Sequence, residues 1–182
     1  MAAGVGRVIP AILVGGSERR PSLGVAAAVA VEAAAITGAA TLLVEAGEGA
    51  RRRGSTLLAA PGSRRVEGAL RDAGLRGSAR GYLCHLAIEE GEELPSRVAG
   101  AISASQAELA VVHLAGRHWV PALESVDLAA AGGCLLVSLP GERSLAALAV
   151  DELSRRGLPA RVITQPPAPL GARRALAGVR AG

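Results

Sequence analysis

The sequence predicts an α/β domain, a mainly parallel sheet with helices on both faces. Three observations carry this expectation. Short runs that are apolar throughout recur along the chain, as strands buried on both faces require. Helix-length segments separate them, so neighbouring strands can run parallel through crossovers. Gly and Pro punctuate the chain between several of these segments, as at Gly15-Gly16, Gly157 and Pro166 to Pro169.

The elements follow in order. Val8 to Val14 is a short apolar run ending at Gly15-Gly16, which reads as a buried strand and a tight loop. Pro21-Ser22 then opens an Ala-rich helix reaching about Thr37, with proline tolerated in its first turn. Ala40 to Val44 is a second strand, followed by a loop rich in Gly and Arg. Ser63 reads as the N-cap of a helix running to about Ala73. Gly81 to Ile88 is a third strand, Leu94 to Ser105 a helix and Leu109 to Leu114 a fourth strand. Pro121 to Ala131 reads as helix, Cys134 to Leu139 as a fifth strand, Ser144 to Arg156 as helix and Ala160 to Thr164 as a sixth strand. Residues 1–165 make one domain; 166–182 form a Pro-rich connection and a basic tail.

Composition excludes several function classes. All 20 basic residues are Arg, and the chain has no Lys and no Asn. No Schiff-base lysine is therefore possible, and no phosphate-loop lysine either. The Arg residues are scattered, and one Trp with one Tyr gives no stacking platform, so no nucleic-acid partner is expected. Cys84 and Cys134 sit in apolar runs without a CxxC motif and read as buried thiols of a reducing cytoplasm. The Ala-rich run from Leu23 to Ile36 is interrupted by Glu32 and falls short of about 20 apolar residues, so no membrane span is expected.

Four segments resemble the MinD/ParA branch of P-loop ATPases. ILVGGSERRPSLGVAAAVAVEAA resembles its first strand, phosphate loop and first helix, and ATLLVEAGEG its second strand with an acidic turn. AELAVVHLAG stands where the family has its metal-side strand, and SVDLAAAGGCLLVSLPGERSLAALAVDELSRRGLP resembles its late helix–strand–helix run. The resemblance implies a three-layer P-loop NTPase-like domain and, in intact members, ATP with magnesium. It is similar in style to Tad/Cpa pilus-localisation proteins.

The motif that binds phosphate is damaged. A phosphate loop needs glycines that curl N–H groups around the anion, a lysine to neutralise it and a hydroxyl to hold magnesium. Aligned on Gly15-Gly16, the lysine becomes Arg19 and the hydroxyl residue Arg20; aligned on Ser22, the lysine becomes Pro21. Glu18 brings negative charge, and Pro21 removes an N–H donor. Glu45 is the one candidate for the acidic residue after the second strand; His113 replaces the strand-end Asp; the purine-reading Asn has no counterpart. These losses point to a pseudo-ATPase with no catalytic residues and a vestigial phosphate-loop region at Gly15, Gly16, Arg19, Arg20, Ser22 and Glu45. No cofactor is expected, ATP and magnesium being held only if the degenerate loop still binds. The alternatives are a working ATPase with an unorthodox loop, and a structural subunit paired with an intact paralogue.

The expected role is a scaffold or positioning factor acting through a protein partner or a homodimer, in pilus or secretion assembly or in cell division. Arg19 and Arg20 lie at a helix N-terminus, a natural place for an anion; residual binding of phosphate or an acidic partner is the functional reading and a solvated loop the simpler one. Buried core histidines are the simpler reading for His113 and His85, and no metal is expected from His113, His118 and Glu45. Glu89 to Glu93 reads as a solvated loop. Arg117 and Trp119 are the candidate interaction residues, since Trp and Arg are enriched at binding hot spots. The simpler reading has Trp119 covering the core.

Overall fold

The computed structural model describes residues 9–51, 59–115 and 131–164. Their elements are β1 (Ala11–Gly16), α1 (Arg19–Thr37), β2 (Thr41–Gly47), α2 (Pro61–Asp72), β3 (Ser78–Arg80), β4 (Leu83–Glu89), α3 (Leu94–Ala104), β5 (Leu109–Ala115), β6 (Ala131–Ser138), α4 (Arg143–Arg155) and β7 (Ala160–Thr164). They form one seven-stranded sheet in the order β3-β4-β2-β5-β1-β6-β7. Every strand pair is parallel except β3–β4.

The fully apolar strands are buried because helices cover both faces. Val25, Ala26, Val29 and Ala30 of α1 pack with Val14, Leu43 and Val111 on one face. Val66 and Leu70 of α2, Val98 and Ala101 of α3, and Ala149 and Leu153 of α4 pack on the other, with Leu13, Leu42, Val44, Leu86 and Leu136. The alanines of α1 let it lie close over the middle of the sheet, where larger side chains would hold it off. Gly38 ends α1 in the left-handed conformation (φ 67°) and donates to the carbonyl of Ala34, a helix stop that glycine permits.

Four expectations need correcting. The third strand, placed at Gly81 to Ile88, is a hairpin: β3 and β4 turn at Gly81, which has φ 52°, so the sheet has seven strands rather than six. Ser63 does not cap α2; Ala60 is the N-cap and Pro61 the first residue. The Ser63 hydroxyl lies inside the first turn and reaches the carbonyls of Ala60 and Gly81 at 2.9 and 2.8 Å. Gly15-Gly16 is not a loop but the end of β1, paired with Leu136 and Val137 of β6. Glu45 does not follow the second strand; it is the fifth of the seven residues of β2. The helix expected at Pro121 to Ala131 and the tail beyond Thr164 lie outside the described residues.

Candidate functional site

In a parallel sheet, ligands bind beyond the carboxyl ends of the strands. The topology brings most of the predicted residues there. β5 lies between β1 and β2, and His113 is level with Val14 on one side and Glu45 on the other. Because side chains alternate along a strand, Glu45 and His113 share the face that α1 covers. His85 on β4 is one pleat earlier, level with Leu43, on the same face.

Glu45 is the centre of this cluster. It is fully buried, yet carries two partners. Arg19, the first residue of α1, donates from Nε to Oε1 at 2.9 Å and also from a terminal nitrogen. His85 Nε2 lies 3.2 Å from Oε2. Burial alone raises a carboxyl pKa, but the hydrogen bonds from His85 and Arg19 and their charge outweigh it. The Glu45 pKa is therefore lowered. The Arg19 side chain remains 28% exposed, so the pair sits at the rim of the core rather than deep within it.

A second pair lies beside it. Ser22 and His113 are both fully buried, and Ser22 Oγ is 2.8 Å from His113 Nε2. The serine hydroxyl has one proton, and its closest carbonyl is that of Glu18, at 2.7 Å. His113 Nε2–H is thus the donor to Ser22. This hydroxyl is spent on folding, with no room for an attacking substrate.

The connection from β1 to α1 holds only Ser17 and Glu18. Glu18 is extended (φ −111°, ψ 127°), and neither Gly15 nor Gly16 has a positive φ. A curled nest of N–H groups needs left-handed residues, and here there are none. Gly16 has a different reason to be glycine: a Cβ would lie 2.9 Å from the carbonyl oxygen of Val137 and 3.0 Å from Ser22 Cβ. Glycine lets the first turn of α1 press against β6. Glu142, before α4, accepts from Ser17 Oγ at 2.7 Å and from the Leu139 N–H at 3.2 Å. An internal carboxylate thus takes two donors at the strand ends.

The predicted set therefore divides. Gly15, Gly16, Arg19, Ser22 and Glu45 come together, while Arg20 is exposed to solvent. Arg19 is not an open anion receptor, because Glu45 holds it. Arg117, His118 and Trp119 lie outside the described residues. Among the described residues, no group of three or more His, Cys, Asp or Glu is placed to hold a metal ion. Asp72 lies in α2 and Asp151 in α4, away from the strand ends of the sheet, and Asp127 is outside the described residues. Sequence reasoning missed Glu142 and the pairings of His113 and His85. Glu142 precedes the first turn of a helix after Pro140-Gly141, a position that favours carboxylates.

The fold has a relative among solved structures. The crystal structure of a ParA family ATPase from Chlorobium tepidum TLS superposes with a TM-score of 0.55 at 14% identity. The match covers 93% of this chain and 80% of that one. The fold is ParA-like. No family model and no curated protein matches the sequence. The ParA-like fold leads one to ask whether the strand ends fit ATP and magnesium. At those strand ends the first connection is two residues long, and the guanidinium of Arg19 that opens α1 is paired with Glu45.

Proposed function

We propose that this protein is a catalytically degenerate relative of the MinD/ParA ATPases, a pseudo-ATPase that acts as a scaffold or positioning factor. The observation that carries the proposal is the Arg19–Glu45 pair across a two-residue strand-to-helix connection. In this fold the cation at the helix start would serve phosphate; here it is neutralised from within. Glu142 treats the neighbouring donors in the same way. A protein partner or a second copy, rather than a nucleotide, is then what the strand-end edge has to offer. Localisation of pilus or secretion machinery, or of the division site, is the class of process proposed. The setting proposed is the cytoplasm.

Two measurements test this together. Purified protein with magnesium and ATP should release no phosphate above a protein-free control. Affinity capture from its native cells should return a defined protein partner or the protein itself. Steady turnover that scales with protein concentration and disappears in an Arg19→Ala variant would overturn the proposal in favour of an ATPase with an unorthodox loop.

A further inference from the structure

β7 ends the sheet, and among the described residues no strand pairs with its outer edge. Arg161, Val162 and Thr164 are exposed there, and Val162 keeps 38% of its surface in water. Proteins blunt open edges with short strands, charges, Pro or bulges. The opposite edge follows that rule, since β3 is three residues long and turns back antiparallel. β7 does not: it has no Pro and no bulge, and its one charge is Arg161.

The pairing with β6 fixes which backbone groups of β7 are free. The Cys134 N–H donates to the Pro159 carbonyl at 2.8 Å, and Cys134 is level with Ala160. The N–H and C=O of successive strand residues point alternately to the two sides. Those of Arg161 and Ile163 therefore face β6, and those of Ala160, Val162 and Thr164 face outward. This outward set is symmetric about Val162. A two-fold axis through Val162 lays a second β7 antiparallel beside the first. Val162 of one copy then meets Val162 of the other, Ala160 meets Thr164, and every outward N–H finds an outward carbonyl.

The side chains agree with this register. Val162 is level with Leu136, on the face that α4 covers, so the axis sets two valines side by side. On the other face Arg161 falls opposite Ile163 of the second copy, so the one charge of the edge meets an aliphatic side chain and no like charge. The chain's own tail suits the edge poorly, because Pro166, Pro167 and Pro169 follow soon after Thr164 and cannot donate to a ladder.

We propose that the protein forms a two-fold dimer through β7, which joins two sheets into one. A contact of one five-residue strand from each copy is small against the roughly 800 Å² per partner of a standard interface, so the dimer is weak and concentration-dependent. It lies on the side of the sheet, away from the strand ends, and does not rest on the pseudo-ATPase reading.

Sedimentation velocity of the full chain, from about 1 µM to 1 mM, should show the 18.2 kDa species giving way to one of twice that mass. Amide hydrogen exchange reads the register. The N–H groups of Ala160, Val162 and Thr164 should become protected as the dimer forms, while those of Arg161 and Ile163 are protected at every concentration. Val162→Lys sets like charges opposite each other on the axis and should weaken association by at least about tenfold. Val162→Pro removes an outward N–H, spares the bonds to β6 and should do the same. Val31→Lys makes the first change on the exposed side of α1 and should leave association unchanged. Circular dichroism confirms that each variant is folded, and the exchange pattern of the wild type stands in for any that is not. A chain that stays monomeric throughout, or a dimer that both folded Val162 variants leave intact, would overturn the proposal. So would Val162 and Thr164 amides protected equally at every concentration, the result expected of a tail folded onto the edge.

Discussion

Replacing Glu45 with Gln perturbs the centre of the strand-end cluster and changes little else. The two side chains are nearly the same size, so no cavity term enters. What is lost is the negative charge that faces the guanidinium of Arg19 and accepts from His85. Breaking a buried ion pair by removing one partner typically costs about 3–5 kcal/mol. Here Arg19 is 28% exposed and can turn toward water, which brings the expected loss to about 2–3 kcal/mol. The pH dependence gives a second reading. The Glu45 pKa is lowered in the folded protein from an ordinary value of 4.5. Its contribution is therefore fully present above pH 4.5 and fades as the pH falls through that value toward the lower folded one. Urea denaturation at neutral pH should show the full difference between wild type and variant, and the two should converge as the pH drops below 4.5. A variant within about 0.5 kcal/mol of wild type at neutral pH, the size of an ordinary surface change, would refute the reasoning. So would a difference that grows on acidification.

Other outcomes follow from the same structure. Gly16→Ala should lower stability by about 1–3 kcal/mol, because the new methyl group meets the Val137 carbonyl and Ser22 Cβ with no flexible neighbour to yield; a thermal melt reads this directly. Burial pushes the Cys84 and Cys134 thiols up to about 12, so both should be inert to a disulfide reagent at pH 8 in the folded protein and react fully once urea unfolds it. Trp119→Ala separates the two sequence-based readings of that residue: a ring folded onto the core loses about 3–5 kcal/mol of stability on truncation and leaves association unchanged, whereas an interface ring leaves stability and loses self-association.

Much of the fold was legible because its strands are apolar on both faces, and only a parallel sheet covered on both sides needs that. β7 was read to the residue, and α1, α3 and α4 to within two residues. β3 was not legible. Ser78-Ala79-Arg80 has no strand pattern of its own, and pairs only because Gly81 turns it back along β4. Pro61 was the better signal for the start of α2 than Ser63, since proline suits the first helical position and needs no cap hydroxyl there.

The site was legible as a set of residue types but not as a set of contacts. The absence of Lys and Asn could be read at once. That Arg19 would be held by Glu45, and Ser22 by His113, depends on β5 lying between β1 and β2, and strand order is not written in the local sequence. With that order known, the level positions of Val14, His113 and Glu45 follow from parallel pairing. The role of Gly16 was open to misreading for a related reason. A glycine that curls a phosphate loop and one that admits a close helix look identical in the sequence, and the backbone angles distinguish them.

The central proposal is that the strand ends of this ParA-like fold do not accept a nucleotide. On this proposal, the absence of a phosphate-loop lysine and of a metal-side carboxylate forfeits several charge-assisted contacts, each worth about 1.5–3 kcal/mol. Together they match the roughly 4–8 kcal/mol that separates no binding from millimolar-to-micromolar affinity. Calorimetric titration of the purified chain with magnesium and ATP, at millimolar nucleotide, measures this directly. The account predicts only the heat of dilution; a saturable isotherm with micromolar affinity, lost on Arg19→Ala, would contradict it.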